Sequence, residues 1–308
     1  MPLRDGLNGY LRLHRGFFGI PSPEAGDPDV GVLGIPYDIT SSHTPGARFG
    51  PDAIRLAMDS ERSHSFPLTI TKAVNSRSDS LSKLLTLEDI GDLEVGVQPP
   101  ESVAVHMDEA AAKLATSSSK LLFLGGDHFI TYPLLRGLKK GRPGNYGLVY
   151  FDSHADFYDD MGGLTLSHAS TLKRLVEDNV VQLENVVGYD FRTTVPEQRA
   201  ALGPSVCVPN EEEFEKQIKR ISENVDYFYI SVDLDVLQPQ IVPGVSHPES
   251  GGLTVSELAN LIRIVFETGK VRYADIVELN PLLDNSNTTS IAARDIVKEI
   301  LTGFAYHK

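Results

Sequence analysis

Residues 146–156 read Tyr-Gly-Leu-Val-Tyr-Phe-Asp-Ser-His-Ala-Asp, an apolar run that ends in two aspartates and a histidine. A short apolar run with polar residues at its end is typical of a strand that is buried on both faces of a sheet. In the D-x-H-x-D sequence that follows, alternate side chains lie on the same side of an extended chain and therefore converge. This stretch predicts a buried parallel strand with a polar site at its carboxyl end.

The same kind of apolar run recurs along the chain, and stretches with helical spacing lie between the runs. The other predicted strands are residues 30–35, 120–124, 185–189, 227–232 and 271–279. The predicted helices are residues 53–58, 102–115, 131–138, 169–176, 211–221, 255–266 and 291–301. Alternating strands and helices predict the α/β class, with three αβα layers and a mostly parallel central sheet.

The composition is that of a folded globular chain. Of the 308 residues, 41% are apolar and 23% are charged, which argues against a disordered chain and a fibrous repeat. No internal repeat or linker-like stretch divides the sequence, so we expect a single domain over residues 1–308. The polar residues 75–82 are expected to form a surface loop.

Charge, hydropathy and cysteine content argue against several partners and compartments. Lys and Arg number 28 against 42 Asp and Glu, and a net charge of −14 disfavours a nucleic-acid partner. The apolar run 17–20 is too short for a signal peptide, and no run of about 18 apolar residues predicts a membrane span. The single cysteine, Cys207, can form no disulfide within the chain, and its apolar neighbours favour a core position. These features predict a cytoplasmic location.

Two more predicted strands end in residue types that bind metals. Gly-Gly-Asp-His at 125–128 follows one strand, and Asp-Leu-Asp at 233–235 follows another. Each motif alone is commonly a turn or a solvated strand end, but ligands bind at the carboxyl ends of parallel strands, and three such ends coincide here. Carboxylates gathered at one edge repel each other, and a divalent cation removes that cost.

The candidate ligands outnumber the positions of a tetrahedral zinc site, so two bridged ions fit better. The absence of thiolates among them favours Mn²⁺ or a similar ion over structural zinc. The candidates are His128, Asp152, His154, Asp156, Asp233 and Asp235.

With these motifs the sequence resembles the ureohydrolases, the arginase and agmatinase superfamily of binuclear manganese amidinohydrolases. The resemblance covers nearly the whole chain and includes residues 34–38, 45–51, 243–244, 248–254 and 277–281. It implies an arginase-like αβα fold with a metal site at the carboxyl ends of the strands, two Mn²⁺ per chain and a small-molecule guanidino substrate. It also implies a homo-oligomer, since the family commonly forms trimers or hexamers.

The resemblance assigns a ligand set to each manganese. One ion would be held by His128, Asp152, Asp156 and Asp233, and the other by Asp152, His154, Asp233 and Asp235, so that Asp152 and Asp233 bridge the pair. Cations that share a water lower its pKa, so that hydroxide can attack the guanidinium carbon near neutral pH. The products would be urea and an amine, which leaves once it is protonated.

The resemblance also assigns catalytic and substrate-binding roles. Asp156 would hydrogen-bond the hydroxide and pass on a proton. His168 would act as a proton shuttle or orient the substrate, and Glu278 would receive the substrate guanidinium through paired hydrogen bonds. Each residue also has a purely structural interpretation. His168 would be a histidine at a helix start that bonds to a neighbour, and Glu278 would be a carboxylate in a salt bridge.

Agmatine, hydrolysed to putrescine and urea, is the expected substrate. The stretch 157–167 lacks the asparagine with which arginases bind the amino-acid carboxylate, and Ser-His-Ala at 167–169 resembles agmatinases. Asp159 and Asp160 can tolerate a distal ammonium group. Arg192 can instead bind a substrate carboxylate, so that a guanidino-acid hydrolase of the guanidinobutyrase, guanidinopropionase or arginase-like kind stays open.

Other functions compete with this one. A formimidoylglutamase-type hydrolase is the alternative among enzymes, and a catalytically inactive regulatory homologue is the alternative from another class. No candidate ligand is missing, which argues against the inactive homologue. The sequence departs from the family pattern at Phe129, Ser153 and Gln238, none of which is a candidate ligand.

Overall fold

The computed structural model describes residues 11–12, 17–59, 63–68 and 79–307. The strands of these residues are β1 (Leu11–Arg12), β2 (Val30–Ile35), β3 (Leu87–Leu93), β4 (Lys120–Gly125), β5 (Tyr146–Phe151), β6 (Val186–Tyr189), β7 (Cys207–Val208), β8 (Tyr227–Asp233) and β9 (Val271–Val277). They form one sheet in the order β1-β3-β2-β4-β9-β8-β5-β6-β7. Neighbouring strands are parallel except β1 and β3, which are antiparallel.

Helices cover both faces of this sheet. In the described residues they are α1 (Gly50–Ala57), α2 (Leu81–Leu84), α3 (Pro100–Leu114), α4 (Thr131–Gly141), α5 (Thr171–Glu177), α6 (Pro196–Leu202), α7 (Glu211–Ser222), α8 (Val255–Phe266) and α9 (Thr288–Tyr306). Apolar side chains of α1, α7, α8 and α9 share one core, and those of α3, α4 and α5 share the other. Alternate residues of β4 point to opposite faces of the sheet and so belong to different cores. Leu122 and Leu124 belong to the first core, and Leu121 and Phe123 belong to the second. The predicted α/β architecture with a mostly parallel central sheet is confirmed.

The structure adds strands that the apolar pattern does not predict. Asp89 and Asp92 interrupt the apolar residues of β3, and both bind Arg55 of α1, with distances of 3.0 and 2.6 Å. All three side chains are buried, which charged groups tolerate when they are paired. Strands β1 and β7 have two residues each and are too short to give a pattern.

Some predicted boundaries also differ from the observed ones. The apolar run 271–279 extends past β9, which ends at Val277 because Glu278 adopts a φ of 66°, in the left-handed region. Of the polar stretch 75–82, residues 75–78 lie outside the described residues, and Leu81 and Ser82 begin α2 instead of continuing a loop. Cys207 is half-buried in β7, and burial raises the pKa of its thiol, as in an unreactive cysteine.

The four central strands end at the same level. The register pairs near their carboxyl ends are Leu124 with Ile276, Asp233 with Val277, and Phe151 with Val232. The segments that follow β4, β9, β8 and β5 therefore meet at one edge of the sheet. None of the described helices has the length and the apolar character needed to cross a bilayer.

Candidate metal centre and substrate pocket

The turn after β5 brings three of the predicted ligands to the edge of the sheet. Asp152 directly follows the strand, and its Oδ1 accepts a hydrogen bond from the backbone N–H of His154 at 2.6 Å. Asp156 has a φ of 46°, and its Oδ2 accepts a hydrogen bond of 2.8 Å from the hydroxyl of Tyr150. A non-glycine residue in this conformation is strained, and such strain concentrates at functional sites.

The turn after β4 is shaped by a close backbone approach at Gly126. A Cβ atom at this position would lie 1.8 Å from the carbonyl oxygen of Tyr37, so no other residue fits. The same carbonyl accepts a hydrogen bond from the N–H of Asp127 at 2.8 Å. His128 then begins a buried 3₁₀ turn, His128–Ile130, which places its ring beside the carboxylates of β5 and β8.

One group of possible ligands surrounds His128. Its Nδ1 lies 3.0 Å from Asp152 Oδ2, 3.2 Å from Asp156 Oδ2 and 3.3 Å from Asp233 Oδ2. His128, Asp152 and Asp156 offer ligand atoms close enough together to hold one metal ion. All of these side chains are buried.

A second group surrounds His154. Its Nδ1 lies 2.9 Å from Asp235 Oδ2 and 3.4 Å from Asp152 Oδ1, and these three residues can hold a further ion. Asp152 therefore presents one oxygen to each histidine. This is the arrangement expected of a carboxylate that bridges two ions.

The donor set fits divalent cations. His128 Nδ1 and Asp152 Oδ2 are buried and make no hydrogen bond in the described part of the chain, although they lie only 3.0 Å apart. Because buried polar atoms almost always have a partner, two orphaned atoms side by side indicate a shared ligand. Nitrogen and oxygen donors without sulfur suit Mn²⁺ and ions of similar hardness.

The electrostatics of the two groups favour a cation as well. Burial, together with Asp235 and Asp156, raises the pKa of Asp152 to about 6. Burial beside Asp235 and Asp152 raises the pKa of Asp233 well above its usual value. Burial opposes the charge of His154, but its hydrogen bonds with Asp152 and Asp235 raise its pKa. The groups therefore retain protons that a bound cation would replace.

Glu278 borders the same site from the end of β9. Its Oε1 accepts a hydrogen bond of 2.9 Å from the backbone N–H of His128, whereas its Oε2 is buried and has no partner among the described residues. Burial and the charges of Asp233 and Asp127 raise the pKa of Glu278 well above its usual value. A cationic ligand would favour the ionised carboxylate, whose orphaned oxygen would then accept hydrogen bonds from that ligand.

His168 is held from behind by Thr40. The backbone N–H of His168 donates to Thr40 Oγ1 at 2.9 Å, and its Nδ1 lies 2.6 Å from the carbonyl oxygen of Thr40. A carbonyl oxygen only accepts, so Nδ1 carries a proton and Nε2 has the lone pair of the neutral ring. Asp127 Oδ2 fixes Thr40 by accepting its N–H and its O–H, at 3.0 and 2.7 Å. Burial lowers the pKa of His168 and so favours its neutral form.

The guanidinium of Arg192 is engaged by acceptors of the protein itself. It donates to the carboxylate of Asp190 and to backbone carbonyl oxygens of Asp235, Val236, Glu249 and Ser250. Arg192 thereby ties the segment that carries Asp235 to the loop at residues 249–250. Its predicted role in binding a substrate carboxylate stays a prediction, and these contacts favour a structural role.

The acidic pair after the β5 turn also has partners. Asp159 forms an ion pair of 2.9 Å with Lys173, and Asp160 Oδ1 accepts a hydrogen bond from the N–H of Gly163 at 2.8 Å. The first contact joins the loop to Lys173 of α5, and the second lies within the loop that leads to that helix. Tolerance of a substrate ammonium by these carboxylates stays a prediction.

The departures from the family pattern leave every candidate ligand in place. Phe129 is buried and packs on Tyr37, with ring centroids 5.9 Å apart. Ser153 is buried, and its Oγ lies 3.0 Å from His154 Nδ1. The backbone N–H of Gln238 donates to the carbonyl oxygen of Leu253.

A cavity of about 160 Å³ lies over these groups. Besides predicted ligands, His168 and Glu278, its wall includes Ser42, Tyr158, Met161, Ala169 and His247. Among the described residues of this wall there is no lysine or arginine. The lining of the cavity therefore consists of carboxylates, histidines and uncharged side chains.

Sequence reasoning missed residues that line the cavity or support the residues lining it. Thr40, Ser42 and His247 lie in gaps between the segments that carry the family resemblance, where no spacing marks them. Ser231 and Asp275 lie within predicted apolar strands, and a polar residue inside such a run was an available signal.

The chain is similar to known proteins over almost its whole length. Residues 28–303 match the sequence profile of the arginase family. Over 300 residues the chain is 31% identical to an agmatinase of Neisseria meningitidis, which covers 95% of this chain and 91% of that protein.

Two solved structures are similar in fold and sequence. The proclavaminate amidino hydrolase from Streptomyces clavuligerus matches with a TM-score of 0.80 and 27% identity, over 97% of this chain and 99% of that one. The agmatine ureohydrolase of Thermoplasma volcanium matches with a TM-score of 0.78 and 25% identity, over 94% of each chain.

Proposed function

Because this chain belongs to the arginase family, we propose that it hydrolyses agmatine to putrescine and urea at a binuclear manganese centre. The chain is a hydrolase that acts on the C–N bonds of amidino groups, as its family and its relatives indicate. The choice of agmatine rests on the agmatinase relatives and on the chemistry of the cavity wall.

The observation that carries the proposal is the orphaned Oε2 of Glu278. This oxygen is buried, and Glu278 lines the cavity together with residues of both histidine groups. A guanidinium group presents parallel N–H donors, and a carboxylate accepts them in pairs. Binding of a guanidinium there would satisfy the orphaned oxygen and compensate its negative charge.

We propose that two ions occupy the histidine groups. His128, Asp152, Asp156 and Asp233 would hold one, and Asp152, His154, Asp233 and Asp235 would hold the other. When bound, the cations supply Lewis acidity and lower the pKa of water, which makes hydroxide available near neutral pH. Tyr150 fixes Asp156 through Oδ2, which leaves Oδ1 of that carboxylate to take up and release a proton.

His168 would protonate the leaving amine or orient it. Its Nδ1 is tied to the carbonyl oxygen of Thr40, so only Nε2 can exchange a proton with a group in the cavity. The amine leaves once it is protonated, and a neutral imidazole can first take up a proton at Nε2 and then pass that proton to the amine. The contact with Thr40 keeps this exchange at one atom of the ring.

The wall of the cavity favours a substrate without a carboxylate. A guanidino acid would place its carboxylate in a wall that has no lysine or arginine among its described residues, and an unpaired charge is costly there. Arg192 already donates to protein acceptors. Tyr158 and Met161 can instead pack against the methylene chain of agmatine.

Urea release from a substrate panel tests the proposal. The panel contains agmatine, arginine, guanidinobutyrate, guanidinopropionate and formiminoglutamate, the last assayed for formamide, with Mn²⁺-reconstituted protein and an EDTA-treated control. We expect selective, metal-dependent turnover of agmatine. Preference for an acid would contradict the substrate, and no turnover of any compound with two ions bound would contradict the activity.

We also propose that residues 1–308 form one domain and that the protein assembles as a homo-oligomer, a trimer or hexamer by family resemblance. Light scattering over a range of concentrations tests the assembly, and a monomer would contradict it. Limited proteolysis tests the single domain, which predicts no stable half-size fragment.

A further inference from the structure

Two residues without an assigned role meet at the ring of His168. Ser42 Oγ lies 3.3 Å from His168 Nε2 and 3.1 Å from His247 Nε2. The ring of His247 also stacks on that of His168, with centroids 5.1 Å apart and an angle of 20° between the planes. Ser42 and His247 are 205 residues apart in the chain, yet both line the same cavity.

Donor counting fixes the direction of these hydrogen bonds. Because Nδ1 of His168 donates to the carbonyl oxygen of Thr40, its Nε2 is an acceptor in the neutral ring. Ser42 has a single hydroxyl proton, so it donates to His168 Nε2 and accepts from the N–H of His247. When both histidine rings are neutral, no other placement of the protons gives a donor to each of the two contacts of Ser42.

We propose that Ser42 and His247 are positioning residues that hold His168 so that its Nε2 faces the cavity. The ring is then fixed on three sides: Thr40 binds Nδ1, Ser42 binds Nε2, and His247 covers one face. His247 belongs to neither of the histidine–carboxylate groups found among the described residues, and we therefore assign its role to His168. The inference rests on the proposed role of His168 as the group that protonates or orients the leaving amine.

Fixing the ring matters because proton transfer depends on the exact placement of one nitrogen. A misplacement of the order of 1 Å lowers a rate by about 100-fold. Truncation of His247 would let the ring of His168 tilt, and loss of the Ser42 hydroxyl would remove the donor that directs Nε2. Both changes should lower kcat for agmatine while KM stays close to its original value, because the guanidinium is bound elsewhere, at Glu278.

The kinetic test compares His247→Ala, His247→Phe and Ser42→Ala in the Mn²⁺-loaded enzyme. We expect His247→Ala and Ser42→Ala to lower kcat by roughly 10-fold or more. His247→Phe keeps the stacked ring but loses the N–H, so it should fall between wild type and His247→Ala. Ser41→Ala is the matched control, because Ser41 Oγ has no hydrogen-bond partner among the described residues. Manganese content should remain that of the wild type in every variant.

A double-mutant cycle with His168→Ala separates positioning from a general structural effect. If His247 acts through His168, His247→Ala has no further effect on kcat in the His168→Ala background. An undiminished effect there, or loss of manganese from His247→Ala, would overturn the inference. If His168→Ala itself retains full turnover, the proposed role of His168 is wrong, and with it the inference.

Crystal structures of wild type, His247→Ala and Ser42→Ala give a readout that does not depend on activity. We expect the ring of His168 to rotate or to occupy more than one conformation in both variants. A single ring orientation identical to that of the wild type would overturn the inference, even if the substrate panel showed no turnover. If the substrate panel shows no turnover but the ring of His168 is displaced in the variants, the result would count against the proposed function alone.

Discussion

Ser231 and Asp275 are register partners on the neighbouring strands β8 and β9, and the hydroxyl of Ser231 donates a buried hydrogen bond of 2.7 Å to Asp275 Oδ1. The same hydroxyl oxygen lies 2.8 Å from Nε2 of His128. Since its proton is given to Asp275, it accepts the N–H of Nε2, and in the neutral ring of His128 the lone pair therefore lies on Nδ1. The pair thereby fixes the tautomer that a metal ligand needs, from within the sheet.

Ser231→Ala should weaken metal binding without removing a ligand. Loss of the acceptor for Nε2 frees the ring of His128 and its tautomer, and supporting contacts of this kind are worth roughly 10- to 100-fold in metal affinity. Isothermal titration with Mn²⁺ measures the change. Ser119→Ala is the control, since Ser119 is also buried but lies directly before β4 and donates to the carbonyl oxygen of Pro28. Equal affinities of Ser231→Ala and wild type would disprove the role.

Glu278→Gln should spare the metals and impair the use of guanidino substrates. The amide keeps the shape of the side chain, but it loses the charge that pairs with the guanidinium, so kcat/KM should fall by roughly 100-fold or more. The Mn²⁺ content, measured by mass spectrometry, should not change. A variant that loses manganese would place Glu278 among the metal ligands instead.

Manganese affinity should rise with pH, because the metal-free site retains protons. The carboxylates around His128 and His154 raise the pKa of both imidazoles, and burial raises the pKa of Asp233. A cation binds the deprotonated ligands, so binding releases protons and strengthens as pH increases through the neutral range. Titrations in two buffers with different ionisation enthalpies count the released protons. An affinity that does not depend on pH would show that the free site is already deprotonated.

Arg192→Met should destabilise the metal site without changing the preference between agmatine and guanidinobutyrate. Removal of the guanidinium leaves the carbonyl oxygens of Asp235 and Glu249 without their donor, so Mn²⁺ affinity and thermal stability should fall. The ratio of agmatine to guanidinobutyrate turnover should stay constant. A selective loss of guanidinobutyrate turnover would restore Arg192 to the role of a carboxylate-binding residue.

The local sequence pattern was sufficient to predict the turns that carry the candidate ligands. An apolar run followed by D-x-H-x-D, or by Asp-Leu-Asp, marks the end of a buried strand, because both the pattern and the turn depend on neighbours in the chain. The structure brings the side chains of all three motifs together at one edge. Strand β3 was not predicted from the sequence, because the burial of Asp89 and Asp92 depends on Arg55, which lies more than 30 residues away.

The amino-acid sequence by itself determined the α/β class and the positions of the candidate ligands, since strand periodicity and strand ends are local properties. Only the tertiary structure decided which residues contact and support those candidate ligands. Insertion of β9 between β4 and β8 brings Asp275 to Ser231 and Glu278 to His128. The meeting of Ser42, His168 and His247 likewise depends on how distant loops pack, and no short-range pattern encodes a contact between segments 205 residues apart.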